Sequence, residues 1–192
     1  MRLEILDSMG DGPDNHVYSQ NLVELPTQDE AIDEVLALIH NNCNVFITGS
    51  GGTGKSFLIS QVVVKLRDEK KECCVTASTG MAARLIGGET LHAWAGIGLG
   101  LGLGTFDSIL QMVMKNQITQ NRILATEVLI IDEISMINSS LFSVLDKICR
   151  HVRKEEKQPF GGLIIVAVGD FFQLPPVQGD YPFKCSSWRE LN

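Results

Sequence analysis

The chain has 192 residues, 44% apolar and 20% charged, which gives one ordinary domain a substantial core and excludes a disordered or low-complexity polypeptide. No apolar run approaches the roughly 18 residues of a membrane span, and the N-terminus has neither the basic start nor the apolar centre of a signal peptide, so an intracellular protein with no membrane partner is expected. Of 23 acids and 16 bases, giving a net charge of −7, nine acids and Arg2 alone fall in residues 1–34, so the remainder is nearly neutral and charge neither demands nor excludes nucleic acid.

Residues 1–21 mix Gly, Asp, Asn and Pro without periodicity and read as a flexible leader. From 28 to about 41, Ala31, Ile32, Val35, Leu36, Leu38 and Ile39 recur at helical spacing behind Thr27, a good N-cap. A short apolar run (Val45, Phe46, Ile47), a glycine-rich turn and a helix over about 54–67 follow. The alternation continues with a strand at 73–77, a helix near 79–86, helical patches between 105 and 125, a strand at 128–131, a long helix at about 139–154 and a β-branched run at 163–169. Strands separated by helices predict an α/β fold, a mainly parallel sheet flanked by helices. The stretch GIGLGLGLG (96–104) is too glycine-rich for an element interior and marks a possible small inserted subdomain over about 96–126. Five cysteines, odd in number and without a C-x-x-C pair, read as thiols in a reducing compartment.

The sequence GSGGTGKS at 49–56 matches the phosphate-binding loop G-x-x-x-x-G-K-[ST], with a strand before it and a helix after it. Gly49, Gly51, Gly52, Thr53 and Gly54 would turn backbone N–H groups inward around the phosphates, and the helix start adds partial positive charge. Lys55 is placed to neutralise the β and γ phosphates and the Ser56 hydroxyl to ligate Mg²⁺. Asp132 and Glu133 end an apolar strand, where ligands collect in parallel sheets. Asp132 suits Mg²⁺ through its water shell, and Glu133 suits orienting or deprotonating the attacking water. Gln173, in GDFFQLPP, has an amide able to donate to a γ-phosphate and accept from a water.

Together with Gln28, the series GSGGTGKS, TASTGMAARLIGGETLHAWAGIG (76–98), IIDEISM (130–136) and GDFFQLPPV (169–177) resembles the successive motifs of superfamily 1B DNA helicases. It is most similar to the PIF-type family of 5′-to-3′ helicases, whose own signature LFSVLDKICRHVRKEEKQPFGG (141–162) resembles. The resemblance implies a RecA-like P-loop motor domain over 22–192, with ATP and Mg²⁺ as cofactors and single-stranded DNA as partner. It further implies a place in DNA repair, recombination or telomere and genome maintenance, in nucleus or mitochondrion. Gln28 would contact the adenine edge, Lys55 and Ser56 the phosphates and Mg²⁺, Asp132 and Glu133 the metal and the water, and Gln173 the γ-phosphate. Ser78, Thr79, Gly80, Thr90 and His92 would touch the DNA backbone, as hydroxyls and amides suit contacts without sequence information. Trp94 is either a base-stacking surface or a core aromatic. Arg150, Arg153, Lys154 and Lys157 form either a basic strip near DNA or a solvated helix end, diluted by Glu155 and Glu156. The family's later motifs, with a second motor domain and its arginine finger, do not follow Gln173, so an ATP-binding half with weak or no turnover is expected. The alternative is a truncated, non-hydrolysing nucleotide- and DNA-binding module.

Overall fold

The computed structural model describes residues 2–6, 23–24, 27–98 and 105–191. The elements in chain order are β1 (Arg2–Leu6), β2 (Val23–Glu24), α1 (Gln28–His40), β3 (Asn44–Thr48), α2 (Lys55–Asp68), β4 (Cys73–Ala77), α3 (Gly80–Leu85), β5 (Glu89–Thr90) and α4 (Leu91–Ala95). After them come α5 (Phe106–Lys115), α6 (Gln117–Ala125), β6 (Val128–Asp132), α7 (Ser139–Arg153), β7 (Ile164–Gly169) and α8 (Ser186–Arg189). The strands form one sheet in the order β2-β1-β3-β7-β6-β4-β5. The five strands from β3 to β5 run parallel, and β1 joins β3 antiparallel.

Strand side chains alternate between faces with period two, and that alternation divides the core. Val45, Ile47, Val75, Val128, Ile130, Val166 and Val168 point to the side covered by α1 and α2. Phe46, Leu129, Ile131, Ile165 and Ala167 point to the side covered by α4, α5, α6 and α7. Burial on both faces explains why β6 and β7 read as unbroken apolar runs. Most helices start where hydroxyl or amide side chains satisfy free N–H groups: Thr27 for α1, Thr79 for α3, Thr90 for α4, Thr105 for α5, Asn116 for α6 and Asn138 for α7.

Three expectations change. Residues 2–6, placed in a leader, form a strand whose backbone pairs all along β3, from Arg2 opposite Thr48 to Leu6 opposite Asn44. The reason is that β3 would otherwise present an unpaired edge. The rest of the leader lies outside the described residues, as do 99–104 of the glycine-rich excursion. Residues 106–125 are not a separate lobe: Ile109, Val113 and Ile123 share one apolar cluster with Leu91, Trp94 and Phe142. Finally, Arg150 and Arg153 are structural rather than a basic strip. Arg153 donates to the carbonyls of Ile123 (2.9 Å), Thr126 (2.9 Å) and Gly161 (2.7 Å), groups left free at the end of α6 and in the turn before β7. Arg150 bonds Asp146, Glu190 and the Glu156 carbonyl; Lys154 and Lys157 stay exposed. All five cysteines are free, and Cys149 is the buried one.

Behind these arginines lies a polar knot. Asp146, 3% exposed on α7, accepts from Arg150 Nε (2.8 Å), the Phe160 N–H (2.7 Å) and Ser187 Oγ (2.8 Å). These bonds fasten the turn at Pro159–Gly162 and α8 to one helix. Phe160 holds a positive φ of 49° there, its ring packed 5.0 Å from Phe142. α8 in turn sets Trp188 against Phe46 and Phe171, with ring centroids 5.9 Å apart in each pair.

Candidate nucleotide site and adjoining edge

Strand register decides which loops meet. Thr48 of β3 pairs Gly169 of β7, Ile131 of β6 pairs Ala167 of β7, and Ala77 of β4 pairs both Asp132 of β6 and Thr90 of β5. The segments that begin at Gly49, Asp170, Glu133, Ser78 and Leu91 therefore leave the sheet along one carboxyl edge. The glycine-rich loop, the Asp170 loop and Glu133 occupy one end of that edge; Ser78 to Gly80, Thr90 and His92 occupy the other.

The loop at 49–54 runs into the first turn of α2, so that Lys55 and Ser56 begin a helix whose N–H groups face outward. Gly54 has φ +90°, which strains any residue but glycine, and a Cβ there would stand 2.8 Å from Gln28 Nε2, the end of a flexible side chain. That contact also shows that Gln28, the first residue of α1, lies against the loop. Thr53 Oγ1 donates to the Ser50 carbonyl at 2.9 Å and closes the loop's turn. Lys55 Nζ folds back onto the carbonyls of Gly49 and Ser50, two acceptors of the loop itself. Its positive charge is thus held at the loop's centre.

Asp132 is 6% exposed at the end of β6. Burial raises its carboxyl above the ordinary carboxylate range and the charge of Glu133 adds to this, while the Glu133 N–H at 2.9 Å and Lys55 oppose it. Glu133 takes the left-handed conformation, φ 53°, an uncommon and strained choice for a non-glycine residue. It turns the chain sharply from strand to a 3₁₀ turn at Ile134–Met136.

Gln173 reaches the same place from β7: its Nε2 lies 4.0 Å from where a Cβ on Gly51 would stand. Sequence reasoning missed the residue that holds it there. Asp170 accepts from the Phe172 N–H at 3.0 Å with Oδ1 and from Gln173 Nε2 at 3.2 Å with Oδ2, and its carbonyl accepts from the Gln173 N–H at 3.0 Å. An Asp just past a strand, three residues before the Gln, was the available signal for such a turn. Phe171 anchors the loop by packing on Phe46, Tyr181, Phe183 and Trp188, whereas Phe172 is fully exposed.

At the other end, Ser78 Oγ approaches Met136 Sδ at 3.6 Å, a contact between β4's loop and the turn after Glu133. Thr79 and Thr90 use their oxygens as N-caps, accepting from the Ala82 and Ala93 N–H groups, each at 3.2 Å. No side chain crowds Gly80, with nothing within 4 Å of a Cβ built there. His92 is half-buried, and burial lowers its pKa below 6.5. Trp94 has 0% exposure, so it is a core aromatic and not a stacking surface.

A mainly parallel α/β sheet with a glycine loop, a lysine and a serine opening the next helix, and an acid at the end of β6, two strands along the same edge, defines a RecA-like P-loop nucleotide-binding domain. The family described as PIF1-like helicase matches residues 25–183. The chain belongs to that family. It is 44% identical over 162 residues to the ATP-dependent DNA helicase PIF1 of Emericella nidulans, covering 79% of this chain and 21% of the relative. Among solved structures it is similar to Pif1 helicase from Candida albicans, with TM-score 0.78, 41% identity and coverage of 88% of this chain and 38% of that one. It is also similar to Bacteroides Pif1 bound to single-stranded DNA, with TM-score 0.63, 34% identity and coverage of 79% and 34%. The chain spans about a fifth to a third of the length of the curated relatives it matches, 21% and 36% for two of them.

Proposed function

We propose that this chain is the ATP-binding half of an ATP-dependent DNA helicase that moves 5′ to 3′ on single-stranded DNA. The observation that carries the reading is the strand register: it sets the phosphate loop, Asp132 and Gln173 beside one another, and the residues of the adjoining motif further along the same edge. Family membership and the Bacteroides relative bound to single-stranded DNA support the substrate.

In this reading Lys55 exchanges the Gly49 and Ser50 carbonyls for the β and γ phosphates, while Gly49 to Gly54 offer backbone N–H groups and Gln28 reads the adenine edge. Ser56 and Asp132 are the residues that would hold Mg²⁺. Their hard oxygens fit that ion, and a site with few protein ligands suits magnesium, which keeps several waters. When bound, Mg²⁺ neutralises phosphate charge. Glu133 orients or deprotonates the attacking water, and Gln173 donates to the γ-phosphate. Ser78, Gly80, Thr79, Thr90 and His92 contact the DNA backbone. The capping hydroxyls of Thr79 and Thr90 retain their own hydrogens for a phosphate oxygen. Burial disfavours the charged form of His92, so its part in this reading is a hydrogen bond to the backbone.

The test is Mg-ATP hydrolysis with and without a single-stranded oligonucleotide, with Lys55→Ala as control and nucleotide binding read in the same samples. Lys55-dependent binding with negligible hydrolysis is expected of this half. DNA-stimulated turnover that Lys55→Ala abolishes would mean that the chain builds a complete site. Binding that ignores Lys55 would overturn the reading.

A further inference from the structure

Gln173 is exposed, and a free glutamine at such a position samples many rotamers. Here one rotamer is favoured by a 3.2 Å bond from Nε2 to Asp170 Oδ2, within a loop closed by three hydrogen bonds, all accepted by Asp170. Asp170 is 9% exposed, and a carboxylate only accepts, so the group facing it must be the amide NH₂. One hydrogen of that NH₂ is taken by Oδ2. The other hydrogen is left beside the space over Gly51, where Nε2 lies 4.0 Å from a Cβ position.

From this geometry we infer that Asp170 is a positioning residue: it sets the orientation of the Gln173 amide, and so determines how strongly the site prefers a nucleoside triphosphate to a diphosphate. The inference rests on the nucleotide-site reading above and deepens it. The carboxylate fixes which end of the amide is donor, polarises the N–H that faces the phosphates, and removes the rotamer freedom that Gln173 would otherwise lose on meeting a γ-phosphate. Asp170 itself touches neither nucleotide nor metal in this account.

Two variants separate positioning from mere scaffolding. Asp170→Asn keeps the shape but has a single acceptor oxygen; with the Phe172 N–H fixed by the backbone, the new NH₂ faces the Gln173 NH₂ and the glutamine amide must turn over. Asp170→Ser keeps a hydroxyl that can accept from the Phe172 N–H, preserving the local turn, but is too short for Gln173. Affinities of the 192-residue chain for Mg-ADP and for a non-hydrolysable Mg-ATP analogue are measured by calorimetry, with melting curves for each variant. Both variants are expected to reduce the triphosphate preference about tenfold, the scale of one charge-assisted hydrogen bond. Affinity for ADP should stay within about twofold, and Asp170→Ser combined with Gln173→Ala should fall no further than Gln173→Ala alone. A normal preference in Asp170→Ser beside a lost one in Gln173→Ala overturns this inference and leaves the role of Gln173 standing. Equal loss of affinity for both nucleotides, or loss of the fold in both variants, makes Asp170 a scaffold residue and also overturns it. A normal preference in Gln173→Ala removes the sensor, and no nucleotide binding by the wild type removes the site; either takes the inference with it.

Discussion

Replacing Asp146 by Ala should unfold this domain far more readily than the loss of an ordinary surface carboxylate. Its oxygens accept from three donors, and two of the residues involved have nowhere else to turn: Phe160 is 0% and Ser187 3% exposed. Each orphaned donor costs about 1–3 kcal/mol. Arg150, with a side chain 12% exposed, loses a partner at 2.8 Å but keeps Glu190 and the Glu156 carbonyl, which limits its share. The total is about 3–5 kcal/mol, in the range for removing one partner of a buried ion pair. For a domain of this size that lowers Tm by about 10 °C. Urea unfolding followed by tryptophan fluorescence reads it directly, since Trp188 sits on α8, which Asp146 holds. Asp146→Asn, with one acceptor oxygen left, should lose about half as much. An Asp146→Ala chain within about 1 kcal/mol of wild type would refute the reasoning and reduce the knot to a set of replaceable contacts.

Gly54→Ala should cost about 1–2 kcal/mol in stability, because φ +90° is foreign to alanine, and should weaken nucleotide binding more than tenfold. Adding Gln28→Ala removes the 2.8 Å clash but not the φ, so recovery of binding in the double variant would contradict the account. The pH profile of stability should bend at His92. Its folded pKa lies below 6.5, so the unfolded chain takes up the proton first, and the stability present above pH 6.5 is lost as pH falls through the folded value. Chemical denaturation between pH 5 and 8 should show this slope in the wild type and a weaker one in His92→Gln; identical slopes would place the titration elsewhere.

Much of the fold was legible because helices and strands here carry their own patterns: the α1 stripe behind Thr27, the apolar β6 and β7, and the glycine loop between β3 and α2. Those same patterns fixed the edge along which the candidate nucleotide residues lie, since motif and strand end coincide at Lys55 and Asp132. Part of what escaped depended on partners distant in sequence. Arg150 and Arg153 look like a solvated helix end until the C-terminus of α6 and the carboxylate of Glu190 are brought to them. Residues 2–6 do alternate polar and apolar over Arg2, Leu3, Glu4 and Ile5, but so short a run is hidden by the Gly, Asp and Asn that follow it, and its partner β3 is distant in sequence. Asp170 was visible as a residue, but its hold on Gln173 is a property of the turn. Trp94 was open between two readings, and only its place in the cluster with Phe142 and Ile123 decides it.

The most direct test of the central claim is a calorimetric titration of Mg-ADP and a non-hydrolysable Mg-ATP analogue into the 192-residue chain and its Lys55→Ala variant, the fold of each checked by circular dichroism. The account predicts one site per chain, with affinity lost by tenfold or more in the variant, since a charge-assisted contact to phosphate is removed. A folded wild-type chain that binds neither nucleotide, or binds both as well without Lys55, would contradict it.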